Sequence, residues 1–265
     1  MWHDTKALNK SANMLFSIFV LLLFAAGIFW LSQRPLFTLE TIVIKGANSQ
    51  PLKHINKPII KSIAFSQIRG NFFTVNLHNV QNAFEAIPWV RQATIRREWP
   101  NTLVAFVEEY QPIGTWGDSG KLLSHKGDIF TANLAEAEEN GELPEFNGPD
   151  GTGREVVARF EEFKQQFKHI HVQPESIQLS KRYAWTVKLQ NGPYVELGRE
   201  DREENSKIFN TRVSRFIKIY PQLVEHLGNQ IERIDMRYPN GLALKVHGPI
   251  PGLNNKQTDN GSKKI

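Results

Sequence analysis

From Ser11 to Gln33 the chain runs through 23 positions without a charged side chain. An α-helix needs about 20 apolar residues to cross a bilayer core, so a single transmembrane helix is expected over residues 12–32. Its centre is built from Phe16, Ile18, Phe19, Val20, Leu21, Leu22, Leu23, Phe24, Ile28 and Phe29. Trp30 stands at the far boundary, where aromatic rings favour the headgroup level. Lys6, Lys10 and the amino terminus precede the run, opposed only by Asp4. Basic flanks stay on the cytoplasmic side, which makes residues 1–11 a cytoplasmic tail and puts everything after Gln33 outside. Arg34 is a single contrary charge. Ala25-Ala26-Gly27 are small enough to suit a signal peptidase. Yet Ile28 to Leu31 carry the run beyond the ~7–15-residue core of a cleaved signal, and length favours an anchor that stays attached.

Beyond the anchor the chain is rich enough in large apolar side chains to fold, with 17 Phe and 6 Trp in its whole length. There is no cysteine. That excludes disulfides, Cys-ligated zinc and thiol chemistry, and it suits an oxidising compartment. The net charge of +5 is spread along the chain and forms no basic, aromatic-interleaved nucleic-acid module, so no nucleic-acid partner is expected.

After Arg34-Pro35 short alternating elements begin. Leu39–Ile44 reads as a strand ending at Gly46. Leu52, Ile55, Ile59, Ile60 and Ile63 have near-helical spacing over Leu52–Phe65, with Pro58 as a kink or break. Asn76 is placed to cap a second helix carrying Leu77, Val80, Phe84 and Ile87, stopped by Pro88. Val90–Arg97 and Leu103–Glu109, joined through Trp99-Pro100-Asn101-Thr102, form a hairpin. The order is β-α-α-β-β.

A second module occupies residues 111–247. Leu122-Leu123 and Ile129-Phe130 pair around a Lys126-Gly127-Asp128 turn, and Leu143–Pro149 reads as a loop. Thr152-x-x-Glu155 has the form of a capping box and opens a helix with Val156, Phe160, Phe163 and Phe167 on one stripe. Ile177–Leu179, Trp185–Leu189 and Tyr194–Leu197 are expected strands, the last two joined by the Asn191-Gly192 turn. Arg202–Tyr220 is an amphipathic helix with Phe209, Val213, Phe216, Ile217 and Tyr220 on its apolar face. Ile231–Met236 and Leu242–Val246 close the module as a hairpin through Pro239-Asn240-Gly241, and residues 248–265 have the composition of a disordered tail.

No catalytic constellation assembles from these elements. His169 and His171 would share a strand face, but two His without a third ligand make a poor zinc site. Glu108 and Glu109 are adjacent on a strand and point to opposite faces, which defeats paired acid–base work. Ser119 and Ser124, with His125 adjacent, lack a nucleophile elbow. Asp235 and Arg237 at i, i+2 read as a same-face ion pair. The residues therefore predict no enzyme, no metal or cofactor site and no small-molecule substrate. They predict binding instead: a terminal strand such as Leu242–Val246, if it lies at a sheet edge, offers backbone groups to an extended partner segment.

The stretches Ile87-Pro88-Trp89-Val90, Ile95–Leu103 (IRREWPNTL) and Val107–Trp116 (VEEYQPIGTW) resemble the POTRA domain of the FtsQ/DivIB family of bacterial cell-division proteins. Leu143-Pro144 with Gly148-Pro149, Trp185, Leu197-Gly198-Arg199, Tyr220-Pro221 and Ile234–Gly241 (IDMRYPNG) extend that resemblance to about Val246. It implies an α+β chain with a POTRA domain over 37–110 and a β-rich domain with two amphipathic helices over 111–247. It further implies a single-pass type II inner-membrane scaffold of the divisome, periplasmic in bulk, enriched at the division septum and linking early to late division proteins. The partners implied are small bitopic proteins of the FtsB and FtsL kind. Carried over by motif position, the binding residues are Arg182, Ala184, Arg237 and Tyr238, with Gly241, Leu242, Leu244 and Val246 along the last strand. Gln92, Ile95 and Arg97 on the second POTRA strand are the implied recruitment surface, with Ile95 equally able to be a core residue. Relatives can carry an aromatic late in the last strand, where this chain has Val246-His247. The competing expectation is a POTRA-bearing envelope protein serving polypeptide transport or outer-membrane assembly. Such proteins place POTRA before a barrel, and this chain has no series of ~10-residue alternating strands after it.

Overall fold

The structure, a computed structural model, describes residues 5–32, 37–55, 58, 69–139, 141–200 and 203–248. The tail expected over 248–265 lies outside them apart from Gly248, as does the helix expected over 52–65 from residue 56 onward, apart from Pro58.

Helix α1 spans Thr5–Ser32, so it starts seven residues before the expected anchor and takes in Lys6 and Lys10. It is long and apolar enough to cross a membrane between Asn9 and Trp30. Its Leu, Ile, Val and Phe side chains from Met14 to Trp30 are exposed, as a lipid-facing surface requires.

Compact packing divides the chain into Met1–Tyr110 and Gln111–Ile265. In the first unit, β1 is Thr41–Gly46, two residues later than the sequence suggests, and helix α2 is Leu77–Glu85. Asn76 caps α2 as expected, its side chain accepting from the His78 and Asn79 amides at 3.0 and 3.3 Å. Strands β2 (Val90–Glu98) and β3 (Thr102–Glu109) flank a turn with a cis Trp99–Pro100 peptide. The sheet order is β1-β3-β2, with β1 parallel and β2 antiparallel to β3. Leu103, Ala105 and Val107 are fully buried together, and Ile42, Val80 and Phe84 join them in the core.

Ahead of the undescribed segment, residues 52–55 are not helical. The amides of Lys53, His54 and Ile55 converge on the Glu109 carboxylate at 2.8, 3.1 and 2.8 Å. Glu109 at the end of β3 is therefore a structural clasp, and Glu108 beside it faces Arg91 at 3.4 Å.

The second unit is a nine-stranded sheet in the order β12-β11-β10-β9-β8-β7-β4-β5-β6. Its strands are β4 (Pro112–Trp116), β5 (Lys121–Ser124), β6 (Ile129–Phe130), β7 (Glu145–Asn147), β8 (Pro174–Leu179), β9 (Ala184–Leu189), β10 (Tyr194–Arg199), β11 (Ile231–Asp235) and β12 (Ala243–Val246). A single helical turn, α3 (Leu134–Ala137), precedes β7. Two of these strands, β4 and β7, are not marked by local pattern. The expected loop over 143–149 contains β7, which pairs in parallel with both β4 and β8. It comes this close because residue 114 is glycine: a Cβ there would fall 2.1–2.3 Å from the Phe146 ring and the Pro144 carbonyl oxygen.

Helices α4 (Gly153–Phe167) and α5 (Glu203–Leu227) supply the rest of the core. Val156, Phe160, Phe163 and Phe167 are buried against Phe209, Val213, Phe216 and Tyr220 and the inner face of β8–β11. The capping box does not form. The Thr152 hydroxyl donates to the Pro149 carbonyl at 2.7 Å and makes no bond to a first-turn amide. Helix α5 also runs six residues past Pro221, which the sequence suggests as its stop. A proline removes one helical donor, and Leu223 and Leu227 pack on the core beyond it, which offsets that loss.

Candidate partner-binding edge

Strand β12 ends the nine-stranded sheet, and β11 is its one strand neighbour among the described residues. The antiparallel register pairs Asp235 with Ala243, Ile234 with Leu244, Arg233 with Lys245 and Ile231 with Val246. Ala243, Leu244 and Lys245 are exposed, and Leu242 and Val246 are half-buried. The strand thus carries only a thin apolar attachment to the domain and presents a free backbone edge among the described residues.

At the Asp235 end of this hairpin the charges are organised. Arg237 donates through Nε and Nη2 to Asp235 at 2.9 and 2.7 Å, and its Nη2 also reaches Glu196 on β10 at 2.9 Å. Arg233 pairs with the same Glu196. Hydrogen bonds from Arg237 hold the Asp235 carboxyl below its ordinary range, and Asp235 in turn raises the Arg237 guanidinium. The ion pair expected at i, i+2 is present and extends to a neighbouring strand.

The turn carrying Tyr238 is held from behind by a residue that sequence pattern does not mark. Arg215 on α5 donates to the carbonyls of Pro239, Met236 (3.0 Å) and Tyr238 (2.7 Å). Three acceptors converge on one guanidinium, which fixes the path of the chain between β11 and β12. Tyr238 itself projects outward, 55% exposed. Beside it, Arg212 donates to the Leu197 carbonyl at 3.1 Å where a bulge interrupts the β9–β10 register. Gly198 occupies that bulge at φ +83°, and a Cβ there would meet Arg212 Nη1 at 2.8 Å and Arg237 Cγ at 3.1 Å. No local periodicity marks these contacts. Arg212 and Arg215 look like polar positions of an amphipathic helix.

Arg182 and Ala184 precede and open β9. Arg182 is exposed, and its amide donates to Ser180 Oγ at 3.3 Å. Ala184 pairs with Arg199 at the end of β10, which runs parallel to β11. The structure therefore brings Arg182, Ala184, Arg237, Tyr238 and Gly241 to one end of the sheet. The starts of β9 and β12 are three strands apart across the sheet and are also staggered along it, Ala184 being level with Arg199 of β10 and Ala243 with Glu196. Val246 lies at the opposite end of β12.

The recruitment surface divides. Gln92 and Arg97 are exposed on β2, and Arg97 Nη2 donates to the Val75 carbonyl at 2.8 Å. Ile95 is buried with Ala93 in the POTRA core, because strand alternation turns it toward α2. It is corrected to a packing residue. His169 and His171 also depart from expectation: they lie in and after a 3₁₀ turn, not on a strand. Among the described residues no group of three or more His, Cys, Asp or Glu converges to hold a metal ion. Ser124 is buried and accepts from the Asp128 amide at 3.0 Å, a turn contact.

Two family sequence models match the chain. Residues 37–110 match the POTRA domain, FtsQ-type, and residues 114–237 match the C-terminal region of the cell division protein FtsQ/DivIB. The chain belongs to the FtsQ/DivIB family. Similarity to FtsQ proteins extends over nearly the whole length. The cell division protein FtsQ of Burkholderia pseudomallei is 46% identical over 248 residues, which is 94% of this chain and 95% of that protein. The FtsQ of Bordetella pertussis is 36% identical, with 95% and 94% covered, and that of Neisseria gonorrhoeae is 27% identical, with 98% and 100% covered. The FtsQ/DivIB C-terminal match covers the Asp235–Arg237 pair and the Gly198 bulge. The residues after the POTRA domain thus belong to an FtsQ-type mixed sheet with helices.

Proposed function

We propose that this chain is a non-enzymatic, single-pass inner-membrane scaffold of the bacterial divisome, with its tail in the cytoplasm and its two folded modules in the periplasm at the septum. Its partners are small bitopic proteins of the FtsB and FtsL kind. An extended segment of such a partner adds to β12 as a tenth strand. The observation that carries this reading is the free edge of β12 beside a pre-arranged turn. Backbone pairing along Ala243–Val246 supplies affinity, and side chains at the Asp235 end supply selection.

In this arrangement Tyr238 is the aromatic anchor and Arg237 the charged contact, a pairing of residue types enriched at interface hot spots. Arg237 already lies between Asp235 and Glu196, so an incoming partner carboxylate shares an oriented guanidinium and does not have to order a free one. Arg182 lies at the same end and is exposed, ready for a second acidic contact. Leu244 offers an apolar contact on the strand itself.

The reading is tested by titrating the full-length protein in nanodiscs with an FtsB-like bitopic partner. Binding at micromolar or tighter affinity, weakened by Tyr238→Ala with the fold intact, supports it. Depletion in the host supplies the cellular counterpart: long undivided cells are expected, and normally dividing cells with envelope-assembly defects would contradict it.

A further inference from the structure

Outside α1, the most exposed large apolar side chain among the described residues is Trp99, at 71%, and Phe73 comes after Tyr238 at 51%. The two share one end of the POTRA domain. Trp99 sits in the β2–β3 turn, and Thr102 at the start of β3 pairs with Thr41 at the start of β1. Just before β1, the Glu40 amide donates to the Asn101 carbonyl, and the Asn101 side chain donates back to the Glu40 carboxylate, each at 3.3 Å. Three residues earlier the Phe37 carbonyl accepts from the Phe72 amide at 2.9 Å, and the Phe37 and Phe73 rings meet edge to face at 4.9 Å. Trp99, Phe37 and Phe73 are therefore gathered where β1 begins.

That is also the end to which the anchor is tied. Helix α1 stops at Ser32, five residues before Phe37. Five residues span at most about 18 Å even fully extended. Phe37 lies within that reach of the end of α1, and of the side chains gathered with it the exposed Trp99, an apolar ring with one N–H donor, is the kind that favours the interfacial zone, with the apolar Phe73 ring beside Phe37.

We propose that this end of the POTRA domain rests on the lipid surface, with Trp99 and Phe73 at headgroup depth, so that the domain is seated on the bilayer and does not swing freely on its tether. The proposal rests on α1 being a retained membrane anchor. Its occupant is lipid, and protein partners remain free to use the sheet edges and the second unit.

The chain has no cysteine, so single-site labelling is unambiguous. The full-length protein is reconstituted into phosphatidylethanolamine–phosphatidylglycerol vesicles carrying nitroxide lipids. An environment-sensitive fluorophore is placed in turn at Ala25→Cys within α1, at Glu98→Cys beside Trp99, and at Lys45→Cys toward the far end of β1. Quenching at position 25 by chain-labelled nitroxide reports the anchor independently. Position 98 is expected to be quenched by headgroup nitroxide and position 45 not. Adding Trp99→Ser and Phe73→Ser to the position-98 variant should reduce its quenching to that of position 45, and adding them to the position-25 variant should leave its quenching unchanged. If the double change unfolds the domain, Trp99→Ser alone should give most of the loss. A label at 98 quenched no more than the label at 45, or quenched equally after the aromatics are removed, overturns the seating. An unquenched label at 25 overturns the anchor beneath it.

Discussion

Arg237 grips Asp235 through two nitrogens, at 2.9 and 2.7 Å, and the same guanidinium reaches Glu196 on the adjacent strand. The arginine proposed to meet a partner is thus already oriented by its own domain. More than half of its side chain is exposed, so its contribution to folding is screened, and Arg237→Ala is expected to cost under ~1 kcal/mol of stability. Its loss at an interface is expected to be larger, about tenfold or more in affinity. Denaturant unfolding and calorimetric titration of the same variant separate the two effects. A variant that binds as tightly as the parent would remove Arg237 from the site.

Asp235 makes the hairpin acid-sensitive in a defined direction. Its carboxyl is held below the usual range by the Arg237 hydrogen bonds. The folded state therefore binds this proton less tightly than the unfolded state, whose value lies near ~3.9. The stabilisation is complete above that value and disappears as pH falls through the lower, folded one. Asp235→Asn should flatten the fall of melting temperature between about pH 5 and pH 2, and an unchanged pH profile would remove this pair from the acid response.

Arg215 should matter without touching any partner. Arg215→Met leaves the Met236, Tyr238 and Pro239 carbonyls without their common donor and is expected to cost ~1–3 kcal/mol. Partner affinity should fall as well, because the Tyr238 turn loses its support. Arg215→Lys should rescue little, since one ammonium cannot reproduce the planar fork. Full rescue by lysine in the titration would count against a geometric role.

Glu109 closes the POTRA domain differently. Glu109→Ala removes one carboxylate that serves three amides, and a loss of ~2 kcal/mol is expected for such charge-assisted bonds. Hydrogen exchange resolves it, with protection lost at Lys53, His54 and Ile55 before the rest of the domain. Uniform loss across the sheet would mean that the clasp holds more than that loop.

The sequence carries this fold where periodicity does. The phenylalanine stripe of α4, the Asn76 cap, the Leu103–Ala105–Val107 face and the closing hairpin are all written in local pattern. Elements fixed by distant partners are silent. β7 is three residues long and exists because β4 and β8 flank it, with Gly114 leaving room for Phe146. Thr152 fits a capping box in one dimension, yet its hydroxyl finds Pro149 first. α5 outlasts Pro221 because the core holds Leu223 and Leu227. Of the candidate site, Arg237 and Tyr238 are proposed from motif resemblance alone, and local pattern foresees the Asp235–Arg237 ion pair. The Arg215 brace and the Glu196 bridge join residues far apart in the chain, where no spacing rule reaches. Ile95 is open between surface and core in sequence, since a resemblance marks positions and not which face they occupy, and its burial decides for the core.

The most direct test is hydrogen exchange of the full-length protein in nanodiscs, with and without an FtsB-like bitopic partner. Strand addition predicts that amides of Ala243–Val246 exchange more slowly in the complex, together with those of the Tyr238 turn. Partner binding that leaves β12 exchange unchanged, with new protection confined to α1 or the POTRA domain, would contradict it.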